Sequence, residues 1–150
     1  MRVLILGTDT PLGRALTECL QQLGRHELVT MSRSACRWKS ERQAKKEVRR
    51  AACDILVDLR IEAAVDGSQQ LHEPDLKRCH WIAKACQRNG IAYLYVSSVR
   101  VFSGELDRPY TEDDEPDSIE TVGELLQIAE QAVAESCERS FILRLGPVFS

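Results

Sequence analysis

Two glycines, Gly7 and Gly13, flank the segment of this chain whose residue types and spacing most clearly indicate a binding function. The segment follows a continuous apolar run at 3–6, which is typical of a parallel strand that is buried on both faces. Its last part is suited to opening a helix, because proline is tolerated in a first helical turn. Backbone N–H groups and a positive helix end would then face a phosphate together. The pattern predicts a pyrophosphate-binding turn, with these candidate residues: Gly7, Thr8, Asp9, Thr10, Pro11, Leu12 and Gly13.

Thr10 departs from the pattern that such a turn usually has. The spacing fits Gly-x-x-Gly-x-x-Gly, but a threonine occupies the middle position. The middle glycine is the one that lets phosphate approach the backbone closely. We therefore expect the Thr10 Cβ either to push a pyrophosphate away or to force a changed turn, so that cofactor affinity falls or is lost.

A second candidate binding element follows the next predicted strand. Ser32 and Arg33 stand where a dinucleotide-binding fold chooses between a ribose hydroxyl and a 2′-phosphate. An acidic residue there accepts from the hydroxyl of NAD, whereas an arginine pairs with the extra phosphate of NADP. These residues favour NADP over NAD. A surface arginine after a strand is the alternative.

The elements that must position these residues alternate between strand and helix. That alternation predicts right-handed β-α-β units, hence an α/β fold with a Rossmann-like doubly wound parallel sheet in a three-layer α/β/α arrangement. Apolar runs predict strands at 3–6, 27–31, 55–58, 92–97 and 141–145. Helical spacing predicts helices at 11–23, 73–88 and 119–137.

Bulk composition excludes several classes of protein. The chain has 150 residues, of which 43% are hydrophobic and 29% charged, enough for one buried core and a single domain over 1–150. A net charge of -3 and a pI near 5.7 argue against a dedicated nucleic-acid or membrane-surface protein. The N-terminal apolar stretch is too short for a signal or a membrane span, so we expect a cytoplasmic protein.

Two charged segments each allow two interpretations. The segment 37–50 is strongly basic, and it is either an anion site or a solvated helix with pairs such as Glu41 with Lys45. We favour the solvated helix. The segment 112–117 is acidic, and it either binds a cation or simply precedes a helix N-terminus; we favour the second.

The six cysteines are scattered and show no metal-ligand spacing. We interpret most of them as reduced packing residues and predict no metal site. Cys79 and Cys86 are seven apart, on one face of a predicted helix, and leave a metal or redox role as the alternative.

The segments 93–104 and 109–116 carry a more specific pattern. The first is a strand that ends in Ser97-Ser98 and leads to Gly104, and the second reads Pro-Tyr-Thr-Glu-Asp-Asp-Glu-Pro. Together they resemble the extended short-chain dehydrogenase/reductase superfamily, and within it the dTDP-4-dehydrorhamnose reductase family. The resemblance extends over essentially the whole chain and implies the fold predicted above.

The resemblance also implies a chemistry that this chain only partly retains. The family uses a Ser or Thr hydroxyl after the fourth strand and a Tyr-x-x-x-Lys pair on the following helix for proton transfer during hydride transfer. The hydroxyl position maps onto Ser98, but the Tyr maps onto Val122 and the Lys onto Leu126. Ser98 is therefore a residual catalytic candidate or a hydroxyl that satisfies the backbone. Tyr110 and Glu112 are candidate substitutes on a loop.

Three functions follow as hypotheses. The first is a catalytically impaired relative of the reductases that binds NADP or NAD, or a sugar nucleotide, and has a binding or regulatory role. The second is an active NADP-dependent sugar-nucleotide reductase or epimerase with displaced catalytic groups, and the third is a cofactor-free interaction module. In full family members a further C-terminal region supplies most of the substrate pocket, so the resemblance implies either a fragment of a longer protein or a stand-alone cofactor-type domain. It also implies a regulatory protein partner or a homodimer formed through 76–85 and 125–133.

Overall fold

The computed structural model describes residues 1–61, 73–104, 106, 108–118 and 121–146. Five parallel strands form a sheet with the order β2-β1-β3-β4-β5: β1 Arg2–Leu6, β2 Glu27–Met31, β3 Ile55–Asp58, β4 Ala92–Ser98 and β5 Ser140–Leu145. The helices between them are α1 Pro11–Leu23, α2 Glu41–Ala51, α3 Glu73–Asn89 and α4 Thr121–Ser136. Short 3₁₀ turns occupy Ser34–Cys36 and Val99–Val101. The predicted doubly wound α/β fold is confirmed.

Both faces of the sheet are covered, which explains the continuous apolar runs in the strands. Alternate β1 residues point to opposite faces, and all four from Val3 to Leu6 are at most 5% exposed. Val3 and Ile5 pack with α1, whereas Leu4 and Leu6 belong to a larger core with α2, α3 and α4. The sheet is therefore the middle one of three layers.

Strand order sets where a ligand can bind. β2 and β3 both pair with β1, on its two sides, so the chain reverses its winding direction there. In open α/β sheets a ligand crevice forms outside the carboxyl ends of the strands at such a switch point. The glycine turn follows β1 directly, at this place.

The predicted element bounds differ from the observed ones mainly at the ends. β1 begins one residue earlier, β4 extends to Ser98 and β5 begins at Ser140. The helix predicted at 119–137 is described from Thr121 onward, because positions 119 and 120 lie outside the described residues. Within the described part, no helix is long and apolar enough to span a bilayer.

The apolar residues invoked for a homodimer are largely used by the chain's own core. Ile82, Leu126 and Val133 are fully buried between α3, α4 and the sheet. Ile128 is the exposed member of that set, at 63%. A dimer through these helices stays a prediction.

Candidate functional site at the glycine turn

Gly7 makes the turn after β1 possible. Its φ is +90°, a conformation that favours glycine, and a Cβ there would lie 2.9 Å from the Leu59 carbonyl carbon. The Gly7 N–H donates to the Met31 carbonyl at 2.8 Å, which ties the turn to the end of β2. The turn is thus wedged between the carboxyl ends of β2 and β3.

Thr10 caps α1 and is turned into the protein. Its side chain is fully buried, and Oγ1 donates to the Gly7 carbonyl at 2.8 Å and accepts from the Gly13 N–H at 3.0 Å. Whether a pyrophosphate is excluded or the turn is changed, the two consequences expected of a threonine here, stays a prediction. The hydroxyl takes up one of the backbone donors that a helix N-terminus otherwise offers to an anion.

Gly13 is required by close packing. A Cβ at this position would overlap the Gly7 carbonyl oxygen and lie 2.9 Å from Thr10 Oγ1. Pro11 occupies the first position of α1, as predicted, and Leu12 packs beneath the turn in the core on the α1 side. Packing and hydrogen bonds among Gly7, Thr10 and Gly13 therefore hold the turn together.

Asp9 connects the turn to the residues after β2. Its carboxylate accepts from the Arg33 backbone N–H at 2.9 Å and from Arg33 Nε at 3.2 Å. Partial burial opposes ionisation of Asp9, but the bonds from Arg33 outweigh it and lower the carboxyl pKa. The structure thus brings together Arg33 and the glycine turn, through a carboxylate that sequence reasoning did not assign to this role.

Ser32 stabilises the chain just beyond β2. Its Oγ accepts from the Ala35 N–H at 3.3 Å and lies 3.1 Å from Ser34 Oγ. Thr8 continues the link to β2, because its N–H donates to the Met31 carbonyl at 3.2 Å. The predicted binding residues are thus neighbours at the switch point, although Gly7, Thr10 and Gly13 are buried.

The candidate catalytic positions lie on β4 and α4. Ser98 is the last residue of β4, and its Oγ accepts from the Arg100 N–H at 3.1 Å. Leu126 is fully buried in the main core, and Val122 is half-buried against the same core. Neither side chain can exchange a proton, and the Leu126 position is closed to solvent.

A cavity of about 790 Å³ lies next to these positions. Phe102 and Tyr110, which both line it, stack on each other with their ring centroids 4.4 Å apart. The Arg144 guanidinium lies 5.1 Å from the Phe102 ring centroid. Sequence reasoning did not single out Phe102 or Arg144. Arg144 Nη2 in turn lies 2.7 Å from Glu130 Oε1. This ion pair joins β5 to α4, and the spacing of the two residues along the chain does not indicate it.

Tyr110 is anchored at this cavity by three groups. Its hydroxyl lies 2.9 Å from Ser103 Oγ, accepts from the Gly104 N–H at 3.1 Å and donates to Asp117 Oδ2 at 3.1 Å. The Ser103 backbone N–H, at 2.6 Å, is the main cause of the lowered pKa of Asp117. The acidic segment therefore includes a structural carboxylate, which positions the loop.

A buried ion pair under the crevice was also missed by sequence reasoning. Asp58 at the end of β3 receives two bonds of 2.9 Å from Arg60, and Tyr93 donates to the same carboxylate at 2.7 Å. Burial opposes the charge of Arg60, but Asp58 outweighs it and raises the Arg60 pKa. An arginine two residues after an aspartate in an apolar run was the available signal.

The cysteines behave as packing residues in this structure. Cys19 is exposed and the other five are buried. Burial raises the pKa of the Cys36 and Cys79 thiols to about 12. In the described part of the chain no cluster of three or more His, Cys, Asp or Glu is placed to hold a metal ion.

The fold defines a doubly wound, Rossmann-like α/β domain with a glycine turn after its first strand. A family model described as the RmlD substrate binding domain matches residues 1–150, and the chain belongs to this family. Its relatives include dTDP-4-dehydrorhamnose reductases, which are extended short-chain dehydrogenase/reductases. The resemblance expected from the sequence is confirmed.

Curated relatives match the chain along its whole length. It is 28% identical over 160 residues to the dTDP-4-dehydrorhamnose reductase of Escherichia coli, covering 100% of this chain and 52% of the relative. It is 25% identical over 152 residues to the spore coat polysaccharide biosynthesis protein SpsK of Bacillus subtilis, covering 99% and 53%. The chain spans about half the length of the curated relatives it matches.

Solved structures share the fold. The dTDP-4-dehydrorhamnose reductase of Bacillus anthracis, in complex with NADP, superposes with a TM-score of 0.80 at 23% identity over 97% of this chain and 53% of that one. The UDP-glucose 4-epimerase of Thermus thermophilus, in complex with NAD, gives a TM-score of 0.75 at 16% identity over 96% and 54%.

Proposed function

We propose that this chain is a nucleotide-binding relative of the sugar-nucleotide reductases whose catalytic step is impaired. The observation that carries the proposal is the contrast between its two sites. The Gly7–Gly13 turn is built and closely packed at the switch point, whereas α4 presents Val122 and the buried Leu126 where a proton donor and its lysine are needed. A binding or regulatory role follows from this contrast.

The residues at the turn fit a dinucleotide with reduced affinity. Arg33 supplies the charge for a 2′-phosphate, but Asp9 already holds it. Thr10 consumes the Gly13 N–H. When bound, the dinucleotide would supply hydride-transfer chemistry, for which the nucleotide-bound relatives are the precedent. In this chain Arg33 would hold the ribose end, and Ser98 is the only proposed proton-handling group of the usual set.

Loss of proton transfer sets the expected size of the impairment. A positioned general acid contributes about 10²- to 10⁴-fold to rate. With that group replaced by Val122, the chain is expected to bind the dinucleotide without sustained turnover.

A second candidate is a reductase or epimerase with displaced catalytic groups. Tyr110 supports it, because it lines the same cavity as Val99 and Arg100, the two residues that follow Ser98. Asp117 and Ser103 already engage the Tyr110 hydroxyl, so proton transfer would require those bonds to break. This cost favours the impaired relative.

Thermal unfolding with NADP, NAD and a dTDP-sugar tests the binding half of the proposal. A ligand at about 100 times its dissociation constant adds about 2.7 kcal/mol of stability. An upward shift with any of these ligands supports binding, and no shift with all of them would favour the cofactor-free module. Arg33→Gln should reduce the shift with NADP more than the shift with NAD.

NADPH oxidation with a dTDP-4-keto sugar tests the catalytic half. The expected rate equals that of the blank, both for the chain itself and for Ser98→Ala. A rate above the blank that Tyr110→Phe abolishes would establish the displaced-donor reductase instead.

A further inference from the structure

A groove of about 810 Å³ lies between α2 and the last turns of α3, formed by residues separate from the glycine turn. Five cationic side chains line it, and Glu41 is the acidic side chain among the lining residues; the cations are Arg42, Lys45, Lys46, Arg49 and Arg88. We call it the α2–α3 groove. It is a concentrated positive feature on a chain whose net charge is -3.

Most of this charge has no counter-charge among the residues that the structure describes. Glu41 forms ion pairs with Lys84 at 2.9 Å and with Lys45 at 3.4 Å. The acidic side chain at the groove is therefore already paired. Within the described residues, the other four cations of the groove form no ion pair. They are also exposed, so they are available to a ligand from solution.

The cations of α2 are arranged on one helical face. Arg42, Lys46 and Arg49 follow the spacing of four and three residues that places side chains next to one another. Like charges at this spacing destabilise a helix. By contrast Arg50, which is outside the groove, pairs with Glu47 at 3.9 Å. Apart from Lys45, the cations that line the groove form no ion pair within the described residues, and an anionic ligand would relieve their mutual repulsion.

The residue types that line the α2–α3 groove favour a phosphate chain over a nucleobase. Ala85 is the one apolar residue among the described lining residues, and none of those residues is aromatic. The groove therefore offers no ring on which a nucleobase can stack. Arg42 and Arg49 are seven residues apart, about 10 Å along the helix axis, so their guanidinium groups suit several phosphates in a row.

We propose that the α2–α3 groove is a binding site for a linear oligophosphate, recognised through its chain of phosphate groups. Arg42 and Arg49 form bidentate contacts with phosphate oxygens, and Lys46 and Arg88 neutralise the remaining charge. The site is independent of nucleotide binding at the glycine turn. It gives the basic segment the anion-binding role that sequence reasoning had placed second.

Calorimetric titration with sodium tripolyphosphate tests this proposal. The probe should bind the chain, and the double variant Lys46→Gln/Arg49→Gln should bind about tenfold more weakly or worse, because two charge-assisted contacts are lost. The matched control is Arg37→Gln/Arg50→Gln, which removes the same net charge outside the groove and should change affinity less than about twofold. Both variants change exposed side chains, and circular dichroism verifies their folding.

Three results would overturn the proposal. The first is the absence of tripolyphosphate binding at about 0.15 M salt, where long-range attraction is screened. The second is an equal loss of affinity in the two double variants, which would indicate a non-specific charge effect. The third is tighter binding of orthophosphate, or of a single-stranded oligonucleotide of equal charge, than of tripolyphosphate.

Discussion

Asp9 and Arg33, 24 positions apart in sequence, hold each other through two bonds across the mouth of the switch point. The Arg33 backbone N–H and its Nε both donate to the one carboxylate. The residue expected to select a 2′-phosphate is therefore already neutralised within the protein. This relationship makes the glycine turn and the end of β2 a single electrostatic unit.

Replacing Asp9 should strengthen NADP binding. In Asp9→Asn the Arg33 guanidinium loses its competing carboxylate, and a gain of about tenfold in affinity corresponds to about 1.4 kcal/mol. Affinity for NAD should change much less, because NAD lacks the extra phosphate. Calorimetry with both dinucleotides measures the difference. Asp113→Asn, in the exposed acidic segment, is the control and should leave both affinities unchanged.

Removing Arg60 should destabilise the fold strongly. Arg60→Gln leaves the buried Asp58 charge without its main partner, and breaking a buried pair costs about 3–5 kcal/mol. Urea unfolding followed by circular dichroism measures the loss. Arg50→Gln breaks an exposed pair and should cost about 0–1 kcal/mol. Equal midpoints for the two variants would contradict the role assigned to Asp58 and Arg60.

The core tyrosines Tyr93 and Tyr95, whose rings meet edge to face, should respond differently to loss of their hydroxyls. Tyr93→Phe removes a bond to Asp58 and should cost about 1–3 kcal/mol. The Tyr95 hydroxyl forms no conventional hydrogen bond with described residues and abuts the weakly accepting Cys79 thiol. Tyr95→Phe should be nearly neutral or stabilising. The same unfolding assay compares them, and the reverse order of stability would refute this assignment.

Placing a lysine at position 126 of α4 should destabilise the fold. Leu126 is fully buried, so Leu126→Lys places a charge in the core and should cost more than about 4 kcal/mol. Ile128→Lys, two positions along and 63% exposed, should change stability by less than about 0.5 kcal/mol. Thermal unfolding separates the two variants, and a stable Leu126→Lys protein would mean that this position reaches solvent.

Thiol labelling should distinguish one cysteine from the other five. In the native protein the exposed Cys19 should react rapidly with a disulfide reagent, whereas burial protects the other five. Burial raises the Cys36 and Cys79 pKa to about 12, so their reactive thiolates form only at much higher pH or after unfolding. Counting thiols spectroscopically with and without denaturant checks this, and a second fast thiol in the native protein would disagree with the structure.

Local sequence signals predicted the elements and the turn well. The apolar run before Gly7 and the helical spacing after Pro11 depend on residues close in sequence, so their pattern is readable without coordinates. Contacts between distant residues were not readable in this way. Asp9 meets Arg33, and Glu130 meets Arg144, because winding of the sheet brings separate elements together. Thr10 shows the intermediate case, where a departure was visible but the direction of its side chain was not.

The glycine turn is closed by hydrogen bonds and packing among its own residues. The Gly7 carbonyl accepts from both the Thr10 N–H and the Thr10 hydroxyl, while Gly13 packs against it. Conformational entropy at this turn is therefore lost during folding rather than during binding. A nucleotide that docks there meets an ordered surface, so its affinity depends on the donors that remain and not on the cost of organising a loop.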